Sequence, residues 1–242
     1  LEEHNPSIIK NDSSLLLKGL KGSNGNVSFI NEKRLFGSIN LIPDKQLNFD
    51  WWTNSANGDT IEFVLSTSPT TNDQILLESS GSGTEKLWDL IIEPSASSNK
   101  QAKLNFRLNN SKTGSLAIAS NAVSMSTSYL SINDSNFWNV MLQRETSSLN
   151  SAITQSYKLY VALQDEDKIT KLSAVSMSVS DSIANVNFMS GSSLDITSSN
   201  AVSGNLVAGR TLTGSLAEFR VWKELVSTSK IKQHTLNKMS IV

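Results

Sequence analysis

Residues 204–234 read GNLVAGRTLTGSLAEFRVWKELVSTSKIKQH, and the fold is decided there. Two strand patterns are followed by one short helical pattern, in a chain with almost no other helical signal. Leu216, Phe219, Val221 and Trp222 are the apolar members of the second strand. Thr213-Gly214-Ser215 is a turn leading into it. Ser227 then opens the helical pattern, in which Ile231 and Leu236 are expected to face inward.

The same strand-and-turn grammar runs through the rest of the chain. Leu47, Phe49 and Trp51 alternate with Asn48, Asp50 and Trp52 at period two, which makes one face apolar and leaves the second set on the other. Asn57-Gly58-Asp59 is a tight-turn signal, and Thr60-Ile61-Glu62-Phe63-Val64-Leu65 follows as a strand. Residues 87–93 are apolar on both faces, as a central strand covered on both sides would be. Leu104, Phe106 and Leu108 alternate with Lys103, Asn105 and Arg107. Residues 137–142 and 157–163 are strongly apolar strands, and Asp165-Glu166-Asp167-Lys168 is a charged hairpin tip. About a dozen or more short strands, with turn signals at roughly 8–12-residue spacing, make a sandwich or barrel. We expect an all-β jelly-roll sandwich of two antiparallel sheets with one short C-terminal helix. Residues 1–13 read as a leading arm or linker, and 14–242 as one domain without internal repeats.

Composition narrows the roles open to such a domain. A chain of 242 residues can bury about 70% or more of its unfolded surface. The net charge of −1 gives no clustered basic footprint for nucleic acid, nor an attraction to anionic membranes. No apolar run approaches the roughly 20 residues that a membrane helix needs, and no signal peptide is visible. The chain opens on Leu1 rather than Met, which suggests a processed product or a segment of something longer. Cysteine is absent, so disulfides, thiolate metal sites and a cysteine nucleophile are excluded. The two histidines, His4 and His234, lie at opposite ends of the chain and make no multi-histidine metal centre. About one residue in six is serine. Serine suits solvated strand faces and turns better than helices, because it competes for backbone hydrogen bonds.

The stretch Gly214-Ser215-Leu216-Ala217-Glu218-Phe219-Arg220-Val221-Trp222, with the helix after it, resembles the closing strand of the concanavalin A-like, laminin-G/pentraxin-like superfamily. Thr60-Ile61-Glu62-Phe63-Val64 is similar to an early strand of that family, with Val64 in place of the usual aromatic. Phe137-Trp138-Asn139-Val140-Met141-Leu142-Gln143-Arg144 and Tyr157-Lys158-Leu159-Tyr160-Val161 resemble two later strands in the family's order, although Ala162-Leu163 stands where Asp-Gly is common. The resemblance implies a fold that hosts lectins, adhesion modules, glucanases and inert spacers alike. A Ser- and Asn-rich, cysteine-free jelly roll of this kind also looks like modules of tailed-bacteriophage virion proteins, carried on tail, neck or head appendages.

Chemistry has little to stand on. Glucanases of the fold place alternate carboxylates on one strand, as nucleophile and general acid, and no such run occurs. Asp165, Glu166 and Asp167 are contiguous and sit at a tip. There is no G-x-S-x-G elbow for a serine nucleophile, so His234 reads as a structural residue of the closing helix. A calcium ion at the rim, as the resemblance implies, would draw on Asp50, Asp59, Asp134 or Asp195, although no ligand spacing supports a site. A sugar site wants an exposed ring with polar neighbours, because the ring covers a sugar face while its neighbours bond the hydroxyls. Trp52, with Asn48 and Asp50 on the same face, is the candidate; the competing reading packs that face against the second sheet. The expectation is a non-enzymatic recognition or structural module with no obligate cofactor, on a virion or the outside of a cell. Its partners would be glycans or other surface proteins, with a homo-oligomer open. A lectin or adhesin and a divergent glycoside hydrolase stand as alternatives.

Overall fold

The computed structural model describes residues 9–10, 14–17, 20–23, 26–29, 47–48, 59–80, 86–108, 123–149, 152–179, 193–195, 205–209, 211–222 and 225–237. In chain order the strands are β1 (Ile9–Lys10), β2 (Ser14–Leu17), β3 (Leu20–Ser23), β4 (Asn26–Phe29), β5 (Leu47–Asn48), β6 (Asp59–Thr67), β7 (Gln74–Ser80) and β8 (Lys86–Ser95). They continue with β9 (Ser98–Leu108), β10 (Val123–Ser126), β11 (Trp138–Leu149), β12 (Ala152–Asp165), β13 (Lys168–Val179), β14 (Ser193–Asp195), β15 (Asn205–Ala208) and β16 (Gly214–Trp222). The helix α1 (Thr228–Leu236) follows.

These strands make the expected jelly-roll sandwich. Sheet A runs β1-β2-β16-β6-β11-β12-β13, with β3 and β4 added beside β16, and sheet B runs β10-β9-β8-β7-β15-β14-β5. Pairing is antiparallel except between β14 and β15, which run parallel. The short strand β1, inside the segment read as an arm, pairs with β2.

Period-two alternation builds the core. From sheet A, Ile61, Phe63 and Leu65, Trp138, Val140 and Leu142, and Tyr157, Leu159 and Val161 face inward. From sheet B, Trp88, Leu90 and Ile92 meet them, with Leu104, Phe106 and Leu108. Each fully buried Leu or Ile contributes about 1.5–3 kcal/mol. The rings of Phe106 and Tyr157 touch across the two sheets at 5.3 Å.

The closing stretch departs from simple alternation. A bulge lies between Ala217 and Arg220 where β16 meets β6, and Glu218 sits there at φ 52°. The extra residue turns both Leu216 and Phe219 into the core, although they are three apart. Trp222, read as one more apolar member of that strand, joins a second cluster instead, with Met141, Val226 and Ile231 beneath α1. Gly214 is already paired with Thr67 as the first residue of β16, not part of a turn. In α1 the buried positions are Ile231, His234 and Thr235. Leu236, expected to face inward, is 43% exposed, because five residues on from Ile231 lies about 140° round the helix.

The run before α1 is pinned to sheet A. Gln143 donates from Nε2 to the Val226 carbonyl at 2.7 Å and to Thr60 Oγ1 at 3.1 Å. The Val226 amide donates to the same Thr60 hydroxyl. Ser227 caps the helix, its hydroxyl accepting from the Lys230 amide at 3.3 Å.

Candidate recognition face

The alternation that sends Leu104 and Phe106 inward sends Lys103, Asn105 and Arg107 to the outer face of sheet B. On the neighbouring β8 the same parity turns Asp89 and Glu93 outward. Register then decides the chemistry, because Asp89 stands opposite Arg107 and Glu93 opposite Lys103. Directly opposed residues of opposite charge support each other across a sheet. Arg107 grips Asp89 with both arms of its fork, Nε to Oδ1 at 2.8 Å and Nη2 to Oδ2 at 2.6 Å. Glu93 accepts from Lys103 at 2.7 Å and from Asn105 Nδ2 at 2.8 Å.

These contacts set the protonation states. Partial burial pushes the Glu93 carboxyl up, but the hydrogen bonds from Lys103 and Asn105 and the charges of Lys103 and Arg107 outweigh it and hold the group below its ordinary range. The Lys103 ammonium is held above its usual value, first by its hydrogen bond to Glu93, against the opposing effect of partial burial, and then by the negative charge of Glu93 with a smaller contribution from Asp73. The row is thus a fixed set of charged donors and acceptors with part of its surface in water.

Tyr129 reaches this row because the chain continues beside β9 after β10 ends. The Thr127 amide donates to the Leu104 carbonyl at 3.0 Å, and Leu130 and Ala102 exchange both backbone bonds. Thr127 Oγ1 also accepts from the Leu104 amide at 3.1 Å. Tyr129, held between these anchors, is 50% exposed. An exposed amphipathic ring beside a row of fixed polar groups offers both surfaces that a sugar uses, its apolar face and its hydroxyls.

Asn48 lies in β5 opposite Ser193, at the far edge of sheet B from β10; its side chain, and Asp50 and Trp52 altogether, lie outside the described residues. Trp88 and Trp138 are fully buried. Asp134 braces a turn, its carboxylate accepting from the Asn136 amide at 2.9 Å, from Asn136 Nδ2 at 2.9 Å and from Trp138 Nε1 at 3.2 Å. Asp59 and Asp195 lie at the ends of β6 and β14, and their side chains lie outside the described residues. The acidic tip is a two-residue turn, Glu166 and Asp167, with Glu166 at φ 52°. Among the described residues no group of three or more His, Asp or Glu side chains is placed to hold a metal ion. Among them, too, no helix is long and apolar enough to cross a membrane. Tyr129 was the missed residue: in the Ser/Thr-rich run SMSTSYLS its signal was a lone ring among small polar residues.

A second polar constellation lies on the other sheet, under α1. Glu62 of β6 accepts at Oε1 from Arg220 Nη1 at 3.0 Å and from Trp222 Nε1 at 3.1 Å. Its Oε2 lies 2.9 Å from His234 Nδ1. Arg220 Nη2 donates to Glu218 Oε2 at 2.9 Å. The imidazole stacks on the Trp222 ring, centroids 5.7 Å apart and planes 23° from parallel. Burial drives the Glu62 carboxyl up, but the bond to His234 and the Arg220 charge overcome it and leave the group below its ordinary value. A cavity of about 20 Å³ lies against this cluster, with Asn139, Met141, Tyr160, Glu218, His234 and Thr235 in its wall.

No protein-family model matches the chain, and no curated protein matches it in sequence. Among solved structures it is similar to the botulinum neurotoxin serotype C1 binding domain, at 14% identity and a TM-score of 0.40, covering 76% of this chain and 37% of that one. The chain therefore spans little more than a third of that domain's length. It is similar to the Ruminococcus gnavus IT-sialidase CBM40, at 12% identity and a TM-score of 0.41, covering 80% of this chain and 95% of that one. It is also similar to the CBM2 module of the evolved Dit of Lactobacillus casei BL23 phage J-1, at 9% identity and a TM-score of 0.38, covering 92% and 95%. These likenesses are of fold alone.

Proposed function

We propose that the protein is a non-enzymatic glycan-recognition module that binds through the outer face of sheet B. The observation that carries this reading is the half-exposed Tyr129 ring beside the Lys103–Glu93–Asn105 row. The ring would cover an apolar sugar face. The row would exchange hydrogen bonds with hydroxyls, at little conformational cost because its members already hold one another. Asn48, Asp50 and Trp52 form a second candidate set, on or after the strand at the opposite edge of the same sheet.

The roles of the carboxylates support binding over hydrolysis. Asp89, Glu93 and Glu62 are each engaged by a cation, and the Asp165-Glu166-Asp167 run sits at an exposed tip. The reading needs no cofactor. The setting we infer is a module of a larger protein on a virion or a cell surface, supported by its polar, Ser-rich, cysteine-free composition. A tail, neck or head appendage is the preferred place, and a homo-oligomer is part of that proposal.

A glycan array run with and without EDTA tests the reading. Binding lost in Tyr129→Ala supports it, and loss with EDTA adds calcium to it. A blank array for the native protein sinks it.

A further inference from the structure

We infer that the cavity under α1 is a built site for one small hydrogen-bond donor, a water molecule, held on His234 Nε2. Both oxygens of Glu62 are engaged, Oε1 by Arg220 and Trp222 and Oε2 by His234. A carboxylate only accepts, so His234 Nδ1 must carry the proton of that contact. In the neutral ring this leaves Nε2 as a bare acceptor, because the bond made by one nitrogen fixes the state of the other. Stacking on Trp222 fixes the ring plane. The side chain is 5% exposed, and Nε2 is fully buried without a hydrogen-bond partner from the protein.

Buried acceptors are rarely left unmatched, and a partner has to fit the space beside them. His234 stands in the wall of the cavity, whose volume is about 20 Å³. About 10–15 Å³ on the same measure holds one water, so a sugar ring is excluded and a single water fits. Asn139, Tyr160 and Glu218 stand in the same, otherwise mostly apolar wall and can serve the water as further polar partners. The water would complete the contact of α1 with sheet A, tying the helix down through a solvent molecule as well as through Glu62.

Nuclear magnetic resonance of the ¹⁵N,¹³C-labelled full chain decides this. The expected result is a protonated Nδ1, an unprotonated Nε2 and a rotating-frame cross-peak from a long-lived water to the carbon-bound hydrogen beside Nε2. The same water should also give a cross-peak to Met141 or Ile231 in the cavity wall, and His234→Asn, which keeps a donor toward Glu62 but removes Nε2, should lose it. Three results would overturn the inference: a proton on Nε2 at neutral pH, no water cross-peak in the native protein, or the wall cross-peak surviving in His234→Asn. The native measurement decides alone if the variant does not fold.

Discussion

Glu62 and His234 meet at 2.9 Å although 172 residues separate them in the chain. One lies on a strand in the interior of sheet A and the other on the helix that closes the domain. Glu62 also accepts from Arg220 and Trp222, so a single carboxylate joins three groups contributed by the last two elements. Removing it should therefore act on more than one contact. Glu62→Ala leaves Arg220 buried with only part of its counter-charge, and breaking a buried pair in this way costs about 3–5 kcal/mol. Urea unfolding should show a loss of that size. A loss below about 1 kcal/mol would mean that the cluster is better hydrated than its burial implies.

The same carboxylate predicts an acid response. Its folded pKa lies below the ordinary Glu value of 4.5. A depressed carboxyl contributes stability that is present above its unfolded pKa and is lost as pH falls through the folded one. Native protein should thus lose stability on acidification below about pH 4.5, and Glu62→Gln should lose less over the same interval. Glu93 works in the same direction. Unfolding free energies measured between neutral and acid pH compare the slopes, and equal slopes would remove Glu62 from the account.

Gly214 is predicted to resist even the smallest side chain. A Cβ there would collide with the Ser66 carbonyl oxygen and crowd the Thr67 methyl at 3.1 Å. The obstacle is backbone of the paired strand β6, which cannot swing aside. Gly214→Ala should cost about 1–3 kcal/mol, the usual cost of overpacking. Thermal melts of the variant beside Ser215→Ala, one residue on, separate this collision from a general sensitivity of the strand.

Tyr129→Ala should split binding from stability. The ring is half exposed, so its loss should change stability by no more than about 0.5 kcal/mol, while glycan binding falls below detection. Trp52→Ala, measured beside it, tests the second candidate set. A binding loss in Trp52→Ala with Tyr129→Ala unaffected would move the site to the second candidate set.

Much of the fold was readable because it rests on local rules. The alternation of Leu104, Phe106 and Leu108 with Lys103, Asn105 and Arg107 is the pattern of a half-buried strand, and β9 follows it. The doubly covered run from Leu87 became β8, inside sheet B with Asp89 and Ile91 buried on the outer side. What stayed hidden depends on partners distant in sequence. The bulge at Glu218 exists only against β6, so strict alternation misplaces Trp222. Apolarity alone places Leu236 inward, but the buried helix face is the one that brings His234 against Glu62. Tyr129 gained its place from pairing between residues 127–130 and β9, and nothing within its own tripeptide records that.

The position of β16 has a consequence for synthesis on the ribosome. It lies between β2 and β6 in sheet A, with Leu17 opposite Phe219. At about 5–20 residues per second, β2 waits roughly 10–40 s for that neighbour to be made. Until then β6 has one open edge and the second cluster lacks Trp222. Sheet A cannot form progressively from its N-terminal end. The emerging chain must be kept from pairing with other chains during that interval, and any release short of about residue 222 yields a sheet split at its middle.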